Sequence, residues 1–498
     1  MNSDKSIFMY IDATIEEIHS VMEKSWLAFH LYRKLSLKQR ADFMRAIARE
    51  IEKIAGELIK VSYEECHLPE ARLRSEISRT VFQLNSYGEA CEKGNWLDAR
   101  IDHGNKDRNP PKPDLRKMLI PLGPVVVFGA ANFPFAYSTA GGDTASAFAA
   151  GCPVIVKAHP GHPATSEMVA EAIKRAATEC YMPEGIFAHI HGASTEVGKA
   201  LIEHRYTQAV GFTGSFAGGK QLFDWANQRR EPIPVFAEMS SVNPVFILPG
   251  KLKEEAESTA KLYAGSITLG AGQFCTNPGL IIAIDDSGLS NFIEHLGIEI
   301  QNTSPAPMLN PGIFKNYVEK RANALAQESV DTIAVADRSA QFNEAVSTIA
   351  SVSASTFINN PLLHQEVFGP FSLIIRCRDL TEMKEVAKSL EGQLTATLLG
   401  TDMDIRNNDE LIDLIKNICG RFIINGVPTG VEVCLSMHHG GPFPATTDSR
   451  FTSVGADAIR RFARPIAFQS WEDEYLPDEL KEKNPLGIWR TVDGTLSK

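Results

Sequence analysis

The chain has 498 residues, too many for a single hydrophobic core, so two or three domains are expected. It carries 50 basic and 61 acidic residues, a formal net charge of -11, within an ordinary globular composition. This charge balance leaves no dominant basic face and therefore argues against binding to duplex nucleic acid.

The sequence also lacks the pattern of a membrane or exported protein. No apolar run reaches the length of about eighteen residues that spans a bilayer, and Met1 to Lys5 leads into a charged helical pattern rather than the apolar core of a signal peptide. These features predict a cytoplasmic protein that is not membrane-bound. The 8 cysteines show no CxxC pair and no metal-ligand spacing, which predicts reduced thiols and no metal site.

The first predicted elements are amphipathic helices. Apolar residues recur at three- and four-residue spacing from Ile15 to about Asn95, as at Phe43, Ile47 and Ile51. The polar stretch 102–117 contains a proline cluster and predicts a linker or an excursion from the domain.

Short apolar strands that alternate with helices follow, in two series. This alternation predicts parallel sheets buried on both faces, in the doubly wound class that binds nucleotides at the carboxyl ends of its strands. The first series has predicted strands at 124–129, 153–157, 186–190, 209–213, 235–238 and 245–248, with helices at 138–150, 166–180 and 218–227. The second has a helix at 254–269 and strands at 280–284, 371–375, 396–399 and 421–424. The tail beyond residue 464 is rich in proline, tryptophan and acidic residues and predicts an extended arm that packs on another subunit.

Cys275 lies in a glycine-rich loop, 270–279, directly before one of these predicted strands. Glycines let the backbone come close to a substrate or cofactor, and a cysteine in a loop can present a reactive thiolate. Most free cysteines only fill a core, so the interpretation of Cys275 as a nucleophile depends on the residues that accompany it.

Two glutamates lie next to predicted strands. Glu238 ends the strand 235–238, where desolvation can raise the pKa of a carboxyl group and make it a base near neutral pH. Glu366 precedes the strand 371–375, where it can accept hydrogen bonds from ribose hydroxyls. Either glutamate alone would be interpreted as structural or solvated.

Polar residues also follow two successive strands of the first series. The side-chain amide of Asn132 can donate a hydrogen bond to a developing oxyanion, although such residues usually satisfy their own turn. Lys157 is placed to bind ribose hydroxyls or a phosphate, unless it is simply solvated. His159 and His162 can assist with a phosphate, but we interpret both as surface histidines.

The stretch 213–220 follows a strand and opens a helix, so its free N–H groups can meet a pyrophosphate. Gly214 to Lys220 matches G-x-x-x-x-G-K, but Gln221 stands where a P-loop has the Ser or Thr that holds magnesium. The sequence therefore argues against a nucleoside triphosphatase and predicts a dinucleotide phosphate at this helix start. The Rossmann fingerprint G-x-G-x-x-G does not occur.

Together these motifs resemble the aldehyde dehydrogenase superfamily over nearly the whole chain. The order is Asn-Phe-Pro, a strand-end Lys, Phe-Thr-Gly-Ser, a strand-end Glu, Gly-Gln-x-Cys and Glu-x-Phe-Gly-Pro. The resemblance implies a cytoplasmic homodimer or homotetramer that oxidises a small aldehyde with NADP or NAD. The implied roles are Cys275 as nucleophile, Glu238 as general base, Asn132 as oxyanion donor, Lys157, Glu366 and Phe368 at the riboses, Gly214 and Ser215 at the pyrophosphate, and His159 beside the cofactor.

The resemblance also implies a domain plan, an α/β fold with two doubly wound parallel-sheet domains and a small oligomerisation extension. Residues 1–105 and 123–247 would form the cofactor-binding domain, to which 438–465 return. Residues 248–437 would form the catalytic thiol domain, and 106–122 with 466–498 the oligomerisation arm.

The similarity is greatest to one branch, the 2,5-dioxopentanoate (α-ketoglutaric semialdehyde) dehydrogenases, through stretches such as 272–279 and 440–448. This implies oxidation of 2,5-dioxopentanoate to 2-oxoglutarate, with a fatty-aldehyde or other semialdehyde dehydrogenase as the alternative. The substrate carboxylate calls for an arginine, and Arg450 is a candidate. Pro160 stands where the superfamily often has a glutamate three residues after the cofactor lysine, so a 2′-phosphate is not repelled and NADP should be tolerated.

Three other classes stay open from the sequence. A CoA-acylating dehydrogenase would share the thioester, but Glu238 as a base argues against it. A thiol hydrolase would need a histidine partner for Cys275, and no histidine lies in a recognisable partner motif, although one can still come close in the fold. A catalytically silent scaffold would not require the combination of Cys275, Glu238 and Asn132.

Overall fold

The structure is a computed structural model that describes residues 10–498. Met1 to Lys5, on which the expectation of a missing signal region rests, lies outside these described residues. Within them, no helix combines the length and the apolar character needed to cross a membrane.

Four helices form the N-terminal region, as the helical spacing predicts. Thr14 and Ser36 cap the first two helices, each accepting a hydrogen bond from a backbone N–H three residues later. Apolar faces of α2 and α4 pack on each other through Phe43, Ile47 and Leu84, all fully buried. The helices of residues 10–498 are α1 Ile15–Tyr32, α2 Leu37–Lys53, α3 Ala55–Cys66, α4 Glu70–Lys93, α5 Gly142–Ala150, α6 Pro163–Glu179, α7 Thr195–Glu203, α8 Phe216–Gln228, α9 Pro249–Thr268, α10 Ser287–Gln301, α11 Pro311–Leu325, α12 Ala354–Asn359, α13 Leu380–Ser389, α14 Asp402–Arg406 and α15 Asp409–Ile418.

The described strands form two large sheets that are wholly or mostly parallel, a third sheet of five strands and a two-stranded one, in agreement with the predicted α/β class. In chain order they are β1 Arg100–Asp102, β2 Leu115–Pro121, β3 Val125–Phe128, β4 Val154–Lys157, β5 Phe187–Ile190, β6 Ala209–Thr213, β7 Val235–Glu238, β8 Val245–Ile247, β9 Leu280–Ile284, β10 Ala306–Pro307, β11 Asp331–Val335, β12 Glu344–Ala345, β13 Thr348–Ser353, β14 Phe371–Cys377, β15 Gln393–Leu399, β16 Cys419–Ile424, β17 Ala463–Gln469, β18 Arg490–Val492 and β19 Thr495–Ser497.

The first large sheet is parallel, in the order β5-β4-β3-β6-β7. The second has the order β11-β13-β14-β9-β8-β15-β16 and is parallel except for the edge strand β11. Core strands such as β3 and β9 are buried along nearly their whole length, as expected for sheets with helices on both faces.

A third sheet joins distant parts of the chain. β2 pairs with β17 over seven residues, and β1 joins β2 to β18 in the order β17-β2-β1-β18-β19. The stretch 102–117, predicted as a linker, thus leads into a strand, and the tail predicted as an extended arm contributes three strands. Charged or polar residues interrupt both strands, Arg116 and Lys117 in β2 and Arg464 and Gln469 in β17, so neither strand is a continuous apolar run.

The two large sheets meet end to end. Register places Phe128 beside Lys157 and Thr213 beside Glu238, so the carboxyl ends of the first sheet lie along one edge. The residues that precede β9 and β14 lie at the amino ends of the second sheet, and both flank the cleft that also contains Glu238. The loops at these facing ends carry the predicted site residues.

Candidate active site

The backbone of the loop before Cys275 is sharply turned and places this residue in the wall of the cleft. Gly270, Ala271 and Gly272 all adopt left-handed conformations, with φ of 57, 56 and 65°, which turns the chain sharply after α9. A side chain at position 272 would lie 2.3 Å from the carbonyl of Gly369, so only glycine permits this close approach to the loop that carries Glu366. The thiol loop and the Glu366 loop are thereby held against each other.

The side chain of Asn243 fixes the far side of the same loop. It adopts φ of 46° and its Nδ2 donates to the carbonyls of Cys275 and Asn277, at 2.9 Å each. Its Oδ1 accepts from Ser241 and Thr395, so this buried amide is satisfied on both sides. The sequence analysis gave Asn243 no role.

The side chains of Cys275, His439 and Glu238 form a cluster around the thiol. His439 Nε2 lies 3.6 Å from Cys275 Sγ and 3.0 Å from Glu238 Oε1, while Ser453 Oγ donates to Glu238 Oε2 at 2.9 Å. Glu238 and His439 are almost fully buried, at 3% and 1% exposure. The histidine partner that no sequence motif revealed is therefore present, 164 residues further along the chain.

The environment shifts the two ionisable groups in opposite directions. Burial and the neighbouring Glu238 carboxylate raise the pKa of the Cys275 thiol well above its usual value. Burial alone would raise the pKa of Glu238, but His439, Ser453 and Cys275 outweigh it and lower that pKa. The resting site therefore holds a neutral thiol beside an ionised carboxylate. The position of Glu238 at the end of a strand predicted a raised pKa, whereas its neighbours in the structure lower it.

Asn132 lies next to the thiol loop, as predicted. It is buried, and its Nδ2 donates to the carbonyl of Gln273 at 3.1 Å. Arg72 donates to the backbone carbonyl of Asn132 at 2.8 Å and lies over the rings of Phe133 and Phe274. These contacts hold the amide against the Cys275 loop.

Five of the six predicted cofactor residues, all except Lys157, line one cleft of about 400 Å³ that reaches Cys275. Its wall includes His159, Gly214, Ser215, Glu366 and Phe368. Ser215 caps α8 and accepts from the N–H of Gly218 at 3.2 Å, so the helix start faces the cleft. Burial raises the pKa of Glu366, which Ser240 and Lys320 partly oppose.

Lys157 ends β4 beside this cleft. Burial lowers the pKa of its ammonium group, and within residues 10–498 no carboxylate lies within 4.0 Å of it. Lys157 is half-buried and the charge of Asp12 acts on it without direct contact, so ribose hydroxyls or a phosphate would give this ammonium group the close partners it lacks within residues 10–498. This chemistry fits a dinucleotide such as NAD(P).

The surface interpretation of the neighbouring histidines is wrong for His162. That side chain is fully buried, and its Nε2 lies 2.8 Å from the carbonyl of Ala130. His159 is half-buried and burial lowers its pKa to about 3, so it is neutral, with Nδ1 accepting from the N–H of Gly161. The two rings stack on each other, with centroids 5.3 Å apart.

Two groups of three side chains have the spacing of metal ligands. Glu238, Cys275 and His439 form one, and Glu167, His189 and His191 the other, with ligand atoms within 4.8 Å of one another in each. The second group is internally hydrogen-bonded through Glu167, at 3.1 and 2.7 Å. The expectation of no metal site was based on the spacing of the cysteines in the sequence. The structure contains no ion that would test it, so it stays a prediction.

Comparisons with known proteins agree with this geometry. A relative in Azospirillum brasilense, "Alpha-ketoglutaric semialdehyde dehydrogenase 2", is 47% identical over 469 residues, 94% of this chain and 89% of the relative. A second, "Alpha-ketoglutaric semialdehyde dehydrogenase" of Acinetobacter baylyi, is 43% identical over 493 residues, 99% of this chain and 93% of the relative.

Solved structures show the same fold. A glyceraldehyde-3-phosphate dehydrogenase from Methanocaldococcus jannaschii, complexed with NADP, aligns with a TM-score of 0.78 at 20% identity and covers 92% of this chain and 95% of its own. A 3,6-anhydro-L-galactose dehydrogenase aligns with a TM-score of 0.78 at 19% identity and covers 92% of both chains. The sequence model of the Aldehyde dehydrogenase family matches residues 2–442. The chain belongs to the aldehyde dehydrogenase family and is an NAD(P)-dependent aldehyde oxidoreductase.

Proposed function

We propose that the chain oxidises 2,5-dioxopentanoate to 2-oxoglutarate at Cys275. The observation that carries the proposal is the cluster of Cys275, Glu238 and His439 at the inner end of the dinucleotide cleft. The names of two relatives at 47% and 43% identity support the choice of substrate.

Cys275 attacks the aldehyde carbon. The S–H bond breaks, a C–S bond forms, and the proton passes to the neighbouring bases, with His439 Nε2 at 3.6 Å from the sulfur. The carbonyl oxygen becomes an oxyanion that the Asn132 amide stabilises. One such preorganised donor contributes about 3 to 4 kcal/mol to the transition state.

The second half of the reaction releases the acid. Lys157, Glu366 and Ser215 at the start of α8 would hold NAD(P), which would supply the hydride acceptor that converts the adduct on Cys275 into a thioester. Glu238 then deprotonates a water molecule that hydrolyses the thioester, and its low pKa keeps it ionised for this task at neutral pH. Ser453 orients the carboxylate through Oε2 and leaves Oε1 toward His439.

A histidine beside a cysteine is also the arrangement of a thiol hydrolase. The adjoining cleft favours the dehydrogenase instead, because its wall includes Glu366 and the start of α8, which suit a dinucleotide and which hydrolysis of an acyl group does not require. The presence of a base, Glu238, within contact of His439 favours water over CoA as the acceptor of the acyl group.

We further propose that NADP is accepted as well as NAD. Lys157 has no acidic neighbour three residues later, since Pro160 occupies that position, and neutral His159 lies in the same wall of the cleft. Position 160 therefore supplies no carboxylate that would repel a 2′-phosphate.

Assembly into a homodimer or homotetramer is also a proposal. The segment 463–498 leaves Trp471 and Trp489 about half exposed in the single chain, at 50% and 46%. Aromatic residues of this kind are enriched in subunit interfaces.

The substrate assignment predicts a clear order of rates. Initial rates with NAD and NADP should give kcat/KM for 2,5-dioxopentanoate at least tenfold above succinate semialdehyde, glutaraldehyde and a long-chain aldehyde, about 1.4 kcal/mol in the transition state. A long-chain aldehyde that reacted fastest would overturn the substrate proposal and leave the chemistry of Cys275 standing.

The role of His439 predicts a change in the pH dependence of the thiol. In His439→Gln the rate of Cys275 alkylation by iodoacetamide should reach half its maximum at higher pH, and kcat/KM should fall by about 10²-fold or more. His438→Gln is the matched control, because that neighbouring ring makes no contact with the thiol. An unchanged alkylation profile in His439→Gln would assign the ring a packing role only.

A further inference from the structure

A cluster of two histidines and a glutamate lies outside the active site, at the edge of the first large sheet. His189 belongs to the edge strand β5 and His191 follows that strand directly, so both side chains lie on the same face of the sheet. Glu167, on α6, contacts both of them. The mechanism proposed for the aldehyde uses none of these three residues.

One oxygen of the carboxylate contacts both rings. Glu167 Oε2 lies 3.1 Å from His189 Nδ1 and 2.7 Å from His191 Nε2, and the ligand atoms of the three residues all lie within 4.8 Å of one another. The ligand atoms of a tetrahedral zinc ion are about 3.3 Å apart, because each lies about 2.0 to 2.1 Å from the ion. The three atoms therefore need only small shifts to become three corners of such a site.

Buried hydroxyl groups fix the orientation of the His189 ring. Its Nε2 lies 2.7 Å from Ser166 Oγ, which in turn lies 2.6 Å from Thr139 Oγ1. Histidines that bind metals usually have their second ring nitrogen held by such an outer partner, which leaves the first nitrogen to the ion. Here Ser166 holds Nε2, and Nδ1 is directed at Glu167.

The cluster is closed on one side and open on the other. The exposed fraction of the side chain is 1% for His189, 19% for His191 and 39% for Glu167. The ring of Tyr10 packs on that of His191, with centroids 4.5 Å apart. An ion can therefore enter from solvent beside Glu167 and keep water as its fourth ligand, as in zinc sites with three protein ligands.

The charges around the cluster favour a cation. A second carboxylate, that of Glu65, accepts from the N–H groups of Ala164 and Thr165 at 2.8 Å each, in the first turn of α6. The positive charge of Lys174, further along α6, is paired with Glu171 at 2.7 Å. Two imidazoles and a carboxylate suit zinc better than magnesium or calcium, which prefer oxygen ligands.

We propose that Glu167, His189 and His191 bind a zinc ion at a site separate from the active centre. The ion links α6 to the edge strand β5, whose Ile190 is paired with Lys157 of β4. It stabilises this edge of the first large sheet and takes no part in the reaction of the aldehyde. The site goes beyond the proposed function, and the cysteine spacing in the sequence could not reveal it, because none of its ligands is a cysteine.

Calorimetric titration with Zn²⁺ tests the site in the full chain. The titration uses the Cys275→Ala variant, because Cys275, Glu238 and His439 also have the spacing of metal ligands. One Zn²⁺ should bind per chain, and zinc should raise the Tm of the chelator-treated protein, because it binds the folded state. Zinc that bound to the wild-type enzyme but not to Cys275→Ala would belong to the active centre and would overturn the proposal.

Ligand variants in the same Cys275→Ala background assign the site. Glu167→Gln and His191→Gln should each weaken zinc binding about tenfold or more, since loss of even an outer partner of a metal site typically costs that much. Glu167→Gln is the milder change, because this side chain is the most exposed of the three and glutamine keeps its size. His295→Gln, on α10 and outside the cluster, is the matched control and should bind zinc as its parent does.

Cobalt provides a spectroscopic check of the ligand set. Co²⁺ bound to the Cys275→Ala variant should show visible d–d absorption that Glu167→Gln weakens, without the charge-transfer band of a thiolate ligand. Absence of zinc uptake would leave only a hydrogen-bonded cluster that needs no ion. Uptake that Glu167→Gln and His191→Gln both left unchanged would place the ion elsewhere, and either result would overturn the proposal.

Discussion

Replacing Cys275 with alanine is expected to abolish aldehyde oxidation. No other described thiol shares the contact with His439 and Glu238, and the oxyanion donor Asn132 is arranged around this one sulfur. Without the nucleophile, no covalent intermediate forms, and the loss should exceed about 10⁴-fold, because both halves of the reaction use the same atom. Cofactor fluorescence measures the expected retention of NADP binding, since Lys157 and Glu366 are unchanged.

Cys434→Ala is the control for this variant. Cys434 is exposed in the loop after β16 and has no contact with the reactive groups, so full activity should remain. Dehydrogenase turnover that survived in Cys275→Ala, in preparations free of the wild-type enzyme, would contradict the central assignment.

Much of the first sheet follows directly from the sequence. Apolar runs predict β3, β4, β6 and β7 of this sheet, and β9 of the second, within one residue at each end, because parallel strands buried on both faces are largely apolar. β13 was not predicted. Its sequence, Thr348 to Ser353, mixes small polar residues with a few apolar ones, yet nearly all of it is buried. Pairing with β11 and β14 stabilises β13 as a strand, and these partners cannot be recognised from the segment's own sequence.

The helix predicted at 138–150 begins four residues later in the structure. Ser138 and Gly141 form a turn with the preceding loop, and the backbone at Gly141 approaches the carbonyl of Ala136, where a side chain would lie at 2.6 Å. α5 therefore begins only at Gly142. Local glycine placement, rather than helix propensity, sets this boundary.

Site residues that lie at the end of a strand could be predicted from the sequence. Lys157 and Glu238 lie at the ends of β4 and β7, and a parallel sheet brings such ends to one edge. His439 was not predictable in this way. It comes from a loop of another region, and only the tertiary fold brings it to Cys275.

Replacing Glu238 with glutamine is expected to separate the two halves of the reaction. The amide preserves the size of the side chain and its contact with Ser453, but it does not accept a proton, so the Cys275 thioester forms and is hydrolysed slowly. Rapid mixing should show a burst of reduced cofactor close to one per active site, followed by a steady state about 10²- to 10⁴-fold below that of the wild-type enzyme. Mass spectrometry of the quenched enzyme should detect the acyl group on Cys275.

Glu366→Gln provides the contrast, because it alters the cofactor wall and not the hydrolytic step. It should raise the KM for NADP and give no burst, since hydride transfer, and not deacylation, would be slowed. If Glu238→Gln showed an undiminished steady state and no burst, another group would have to be the base. His439, 3.0 Å from Glu238 Oε1, would then be the candidate, and the double variant would show whether the two act in one step or in succession.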